Sequence, residues 1–180
     1  QAPLEVVSAL LQAFSDAAKE KDEDGNLALH YAIKNKAPLE VVSALLQAFP
    51  DAAKEKDKDG NLALHLLISQ KSVRLVKDAG NAKAGRVGII CMGPDSDGDH
   101  KIKFEDDGIK SGHVKASAFV PHFGEEFLTK VSALLQAFPD AAKEKGYNDK
   151  LALYYAIKNK APLEVVSALL QAFPDAAKEK

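Results

Sequence analysis

The stretch DSDGDHKIKFED, Asp95 to Asp106, places acidic side chains at positions 1, 3, 5 and 12 of its window and an aliphatic at position 8. That spacing resembles a loop that wraps a calcium ion in carboxylate oxygens. Such a loop also requires glycine at position 6, a bidentate glutamate at position 12 and a helix on either side. Here position 6 is His100 and position 12 is Asp106, with GIICMGP ahead and DGIKSG behind. Ile102 and Phe104 alternate with Lys101 and Lys103, which is the period of a strand. The stretch therefore reads as a hairpin tip: strand 86–92, turn 93–99, strand 100–105. The expected metal set is none. Asp95, Asp97 and Asp99 are the one group whose mutual repulsion a cation would relieve.

Other reactive side chains are set aside on similar grounds. Cys91 with His100 or His113 would make a nucleophile and base, but Cys91 lies in the apolar run IICM and reads as a buried structural thiol. There is no Gly-x-Ser-x-Gly elbow, and GNAKAGRVG lacks the Gly-Lys-Ser/Thr ending of a phosphate loop. His30 and His65 have no ligand-spaced partner within their own segments. The expectation is a chain that is not an enzyme and takes no cofactor.

Charge narrows the partners. With 24 basic and 26 acidic residues the chain lacks the basic excess of a general nucleic-acid binder. No apolar run approaches the ~20 residues of a membrane span. A single cysteine excludes an internal disulfide and a multi-cysteine zinc site. The chain reads as intracellular, cytoplasmic or nuclear. It shows no signal pattern and begins at Gln1 within a motif, which reads as a piece of something longer.

The elements that must position any site come from internal repetition. APLEVVSALLQAFPDAAKEK occupies 37–56 and recurs at 161–180; residues 2–21 differ only at Ser15, and SALLQAFPDAAKEK recurs at 132–145. The linking segments repeat too: DEDGNLALHYAIKNK at 22–36, DKDGNLALHLLISQK at 57–71 and GYNDKLALYYAIKNK at 146–160. Each unit carries a short helix signal (Leu27, Leu29, Ala32 and Ile33 apolar) and a longer one opening at Pro38, with Glu40 suited to the N-terminal dipole. Leu39, Val42, Leu45, Leu46 and Phe49 follow helical spacing. Asp59-Gly60 marks a tight turn between units.

The unit resembles the ankyrin repeat, a turn followed by two antiparallel helices. The resemblance rests on Asp59-Gly60-Asn61, on Leu62-Ala63-Leu64-His65 where the family has Thr-Pro-Leu-His, and on Leu39-Glu40-Val41-Val42 with Ala44-Leu45-Leu46 in the outer helix. The period here is 35 residues, from Ala2 to Ala37, two longer than the family's about 33. The last unit departs further, with Tyr154 for His and Asp149 for Gly. A tetratricopeptide array is the rival, but its tryptophan, glycine and tyrosine signposts are missing. The resemblance implies that His30 and His65 bond backbone and tie neighbouring turns, with Gly25 and Gly60 as turn glycines. It also implies partner binding on the concave side, at Glu23, Tyr31, Lys34, Asn35, Lys58 and Asn61.

Ser43 corresponds to Ser132, 89 residues on, so 54 extra residues separate an inner from an outer helix; the outer helix resumes around Glu125. SVRLVK, RVGIICM, HKIKFED and SGHVKASAFV read as short strands between Gly- and Asp-rich turns. The pattern resembles SH3-like barrels of the Tudor, KOW and Mib-Herc kind, with chain ends close enough for a loop insertion. Between 72 and 124 there is no Trp or Tyr for a methyl-lysine cage or a proline groove. Arg74, Lys77, Lys83 and Arg86 form a modest basic cluster suited to a phosphate backbone or an acidic peptide, the plainer reading being a solvated strand face.

The expected class is thus α+β: an ankyrin-like helical solenoid of about seven helices (1–71 and 125–180) interrupted by an SH3-like barrel at 72–124. The expected function is a non-enzymatic scaffold for a protein partner, with specificity in the insert or where the insert meets the stack, because the repeats are nearly identical. The alternatives are self-association through uncapped ends, where Leu163, Val166, Leu170 and Phe173 need cover, and a calcium-responsive scaffold through 95–106.

Overall fold

A computed structural model describes residues 4–70 and 123–178, and the backbone of 72–75, 87–92, 99–104, 114–115 and 119–121. The chain divides into two compact units, Gln1–Gln70 with Glu125–Lys180, and Lys71–Gly124.

Among its described residues the first unit holds seven α-helices: α1 Leu4–Ala13, α2 Ala28–Lys34, α3 Leu39–Ala48, α4 Ala63–Ser69, α5 Phe127–Ala137, α6 Ala152–Lys158 and α7 Leu163–Ala172. The short helices pack in one row, α2 on α4 and α4 on α6. The long ones pack in a second, α1 on α3, α3 on α5 and α5 on α7. Each short helix also lies on a long one: α2 on α3, α4 on α5, α6 on α7. The core between the rows is led by Leu27, Leu29, Ile33, Leu62, Leu64, Ile68, Leu134 and Leu169, all fully buried. Each such side chain contributes about 1.5–3 kcal/mol by leaving water. In α3 the buried face is Val41, Val42, Leu45 and Leu46, while Leu39 and Phe49 are half-buried.

The helix ends follow from local chemistry. Phe49 closes α3 at φ −146°, ψ 87°, outside the helical region, as expected before Pro50. Phe138 and Phe173 do the same before Pro139 and Pro174. Phe14, however, takes φ −149°, ψ 83° before Ser15. The proline therefore reinforces this exit rather than dictating it. At the other end of α3, Glu126 Oε2 accepts the N–H of Leu39 at 2.8 Å, and Lys130 Nζ donates to the carbonyl of Ala37 at 2.7 Å. α5 thereby satisfies groups at the start of α3 that no intrahelical bond reaches.

The short helices end in a tight reversal. The N–H of Ala37 donates to Ala32 O at 2.8 Å and that of Lys36 to Ile33 O at 3.0 Å. This pairing puts Lys36 in the left-handed region at φ 54°, and Lys160 repeats it at φ 55°. Between units, the Asp22 carboxylate accepts the N–H groups of Asp24 and Asn26, and Asp57 accepts those of Asp59 and Asn61. Gly25 and Gly60, at φ 74° and 80°, complete these turns.

The second unit contains strands β1 Ser72–Leu75, β2 Val87–Met92, β3 Asp99–Phe104, β4 Val114–Lys115 and β5 Phe119–Pro121. The pairings are antiparallel, in the order β4-β3-β2-β1-β5, with a register irregularity between Ile90 and Met92.

The expected α+β class with an SH3-like barrel is corrected here. The chain's described core is that of the helical repeats. In the strand segment β4 and β5 are the two ends of a linear order, and no pairing joins them among the described residues. A closed barrel needs its two edges to pair with one another, and the described pairings form an open order instead. The SH3-like barrel expected at 72–124 is not what the described strands of that unit form.

Candidate partner-binding face

The first turns and short helices place the expected contact residues in one polar network. Tyr31, exposed on α2, donates its hydroxyl to Asp22. Lys34 Nζ donates to Asn26 Oδ1 at 2.6 Å and lies 3.6 Å from the buried carboxylate of Asp57. Asn35 Nδ2 donates to Tyr31 O at 2.9 Å. Lys58 reaches across to Asp24 at 2.7 Å. Asn61 Oδ1 accepts the N–H of Tyr147 at 2.9 Å. Glu23 stands exposed at the first turn tip. The network thus ties each turn to the next and leaves Tyr31 and the lysine stems at the surface.

Its electrostatics are set by those bonds. The Tyr31 hydroxyl, then backbone N–H groups, hold the Asp22 carboxyl down at about 2, and the same contact pushes the Tyr31 phenol up. The bond to Asp24 raises Lys58.

Beneath the turns lie the two histidines. The N–H of Leu27 donates to His30 Nδ1 at 3.0 Å, and His30 Nε2 faces Glu55 O at 3.1 Å. His65 repeats this with Leu62 at 3.3 Å and Glu144 O at 2.9 Å. Each imidazole accepts on Nδ1 and donates from Nε2, which requires the neutral ring. Burial pushes both below the usual histidine value, His65 to about 4.

The remaining expected residues fare differently. Arg74 lies in β1, described by backbone alone, while Lys77, Lys83 and Arg86 lie outside the described residues. So do Asp95 and Asp97, and only the backbone of Asp99, at the start of β3, is described. Among the described residues no group of three or more His, Cys, Asp or Glu side chains is placed to hold a metal.

One feature escaped the sequence reading. Tyr147, Tyr154 and Tyr155 gather in the last unit, with the rings of Tyr154 and Tyr155 5.3 Å apart and edge to face. Lys150 and Lys158 stand 5.3 and 5.4 Å from the centre of the Tyr154 ring, one cation near each end of its helix turn. The Tyr155 hydroxyl donates to Tyr147 O at 2.9 Å, and its ring meets His65 edge-on. Tyr147 and Tyr154 are 54% and 42% exposed, so the patch is open. The signal was present: three of the chain's four tyrosines fall in the one divergent copy, 146–160.

No described helix is long and apolar enough to cross a membrane. Comparison with curated proteins returns no match. A family model described as ankyrin repeats (3 copies) matches residues 2–82. That part of the chain carries ankyrin repeats.

Proposed function

We propose that the chain is a non-enzymatic interaction module whose repeats bind a protein partner through the turns and short helices, with the last unit as the anchor. The observation that carries this is the exposed Tyr147–Tyr154–Tyr155 cluster flanked by Lys150 and Lys158. Tyrosine offers a large contact area at small entropic cost, and buried aromatics dominate interface energetics. The lysines favour an acidic surface opposite. The repeated copies carry little distinguishing information, so the copy that differs is where specificity resides. His30, His65, Gly25 and Gly60 serve the scaffold, and Tyr31, Lys34, Asn35, Lys58 and Asn61 extend the contact.

The test is capture from lysate by the whole chain and by a Tyr147→Ala/Tyr154→Ala variant, with the retained proteins compared. Losing an anchor of this kind costs about tenfold or more in affinity. A partner held equally by both baits sinks the reading.

A second reading is self-association through the ends of the repeat stack. It is favoured by Leu163 at 75%, Ile157 at 63% and Leu10 at 61% exposure; Val166, Leu170 and Phe173 are already half-buried. Sedimentation across a hundredfold concentration range, about 1–100 µM, separates the two readings, because a monomer throughout removes the second.

A further inference from the structure

Two turns of the stack share the sequence Asp-Gly-Asn: Asp24-Gly25-Asn26 and Asp59-Gly60-Asn61. Both put the glycine at positive φ, 74° and 80°. Both bond the glycine N–H back to the start of the turn, Gly25 to Asp22 O at 3.0 Å and Gly60 to Asp57 O at 2.9 Å. An aspartate before glycine is a reactive pair. Its side-chain carbonyl carbon is one ring closure from the next backbone nitrogen, and glycine has no side chain to obstruct the approach.

The two turns differ in how firmly that pair is held. The turn that follows restrains Asp24–Gly25. Asp24 O accepts the N–H of Lys58 at 2.8 Å, and the Asp24 carboxylate accepts Lys58 Nζ at 2.7 Å. Gly25 is packed so closely that a Cβ there would lie 3.4 Å from Lys58 N and 3.5 Å from the carbonyl carbon of Asp57. For Asp59–Gly60 the turn that follows is 146–149, where Tyr147 stands in the place of Lys58. The Tyr147 N–H goes to Asn61 Oδ1 at 2.9 Å rather than to Asp59 O, and its side chain carries no cation. Among the described residues neither the carbonyl nor the carboxylate of Asp59 has a hydrogen-bond or ion-pair partner. Asp59 is exposed, and a Cβ on Gly60 would meet nothing within 4 Å.

We propose that Asp59 is a site of spontaneous backbone rearrangement, through a cyclic imide to isoaspartate, and that the contacts of Lys58 protect Asp24 from the same reaction. The Gly60 nitrogen attacks Cγ of the Asp59 carboxyl in its protonated form. The new C–N bond closes a five-membered imide, and the amide proton leaves with the carboxyl hydroxyl as water. Water then opens either imide carbonyl. Opening at the backbone carbonyl leaves Gly60 attached through Cγ, which is isoaspartate, with the mass of the starting chain. The reaction takes nothing but water. At Asp24 the carboxylate is turned toward Lys58 Nζ and the peptide is fixed by Lys58 N–H, so the approach is blocked until both bonds open.

The rearranged turn has an extra backbone carbon between residues 59 and 60. The bonds that close the turn span that link: Asp57 N–H to Asn61 O at 3.0 Å, and Asn61 N–H to the Asp57 carboxylate at 2.8 Å. Their loss frees Asn61, whose Oδ1 holds the N–H of Tyr147. On the reading of Tyr147 as part of the partner anchor, binding would then weaken as the chain ages. The rearrangement itself does not depend on that reading.

The test ages the whole chain at neutral pH and body temperature and maps its peptides by mass spectrometry with electron-transfer fragmentation. The imide reads as the loss of a water, and isoaspartate by its own backbone fragments. Residue 59 should accumulate these forms about tenfold faster than residue 24, the factor for opening the two bonds on Asp24. In guanidinium chloride the turns are gone and the two residues should age alike. Lys58→Met should bring residue 24 up toward residue 59. Asp59→Glu, whose ring would be six-membered, should abolish the reaction there. In the isoaspartate fraction the Tyr147 amide should exchange faster with solvent.

Equal rates at 24 and 59 in the folded chain, or no reaction at 59, overturn the proposal. A difference that persists in guanidinium chloride overturns it too, by making the flanking sequence the cause. Residue 24 staying slow in Lys58→Met overturns the protection by Lys58. An unchanged Tyr147 amide removes the consequence for binding, and a partner captured without Tyr147 leaves the rearrangement standing.

Discussion

His65 Nε2 lies 2.9 Å from the carbonyl oxygen of Glu144, a residue 79 positions further along the chain. This hydrogen bond is one of several that join the repeats on either side of residues 71–124. The other ring nitrogen of His65, Nδ1, accepts the N–H of Leu62, and that bond is made only while the ring is neutral.

That relationship gives stability a definite pH dependence. Burial holds His65 at about 4, against 6.5 for a free histidine; Lys56 lowers it further, while Glu144 and Asp57 oppose this. Between those values the unfolded chain binds the proton that the folded chain refuses. Stability therefore falls as pH drops from about 6.5 toward 4, by up to about 3 kcal/mol for this group, and levels off below. His30 contributes with the same sign. Urea unfolding at pH 7 and pH 4.5 should show this loss, and His65→Gln should remove most of its own share. A variant profile parallel to that of the parent chain would refute the assignment.

Tyr31 and Asp22 form a second titrating pair. Tyr31→Phe removes the largest cause of the lowered Asp22 carboxyl, which should climb from about 2 toward the ordinary 3.8. Carboxyl chemical shifts followed by NMR titration measure this directly. An unmoved Asp22 would mean that the backbone N–H groups of Asp24 and Asn26 suffice.

Backbone conformation yields two substitutions of opposite sign. Lys36 and Lys160 sit at φ 54° and 55°, where a side chain is strained. Lys160→Gly should stabilise by roughly 0.5–1 kcal/mol. Gly146 is the converse: a Cβ there would lie 2.8 Å from Asn61 Oδ1 and 2.9 Å from His65 Cδ2. Gly146→Ala should destabilise by about 1–3 kcal/mol and broaden the His65 resonances. Thermal unfolding ranks the two variants, and equal melting temperatures would contradict both.

What the sequence made legible was whatever repeats. Seven helices, their order and the Asp-Gly turns follow from period and turn chemistry, because each copy supports the same inference. Helical spacing picks out Leu39 and Val42 and omits Val41, which packing in the fold buries. The barrel failed for a different reason. Short alternating runs disclose strands one at a time, but whether the sheet's edges meet is decided by long-range pairing that no local pattern encodes. The Tyr154 patch is not legible in the repeat pattern, which marks Tyr154 only as a departure from the histidine position and does not say that its ring turns outward. The substitution replaces a buried histidine with a half-exposed ring gripped by two lysines.

The central claim is that the divergent last unit anchors a protein partner. Capture with the whole chain, with Tyr147→Ala/Tyr154→Ala and with Leu10→Asp, each quantified against the same partner, tests it most directly. The expected result is a partner retained by the parent chain and by Leu10→Asp and lost, about tenfold or more, by the double tyrosine variant. A partner retained by all three would place recognition elsewhere and contradict the claim.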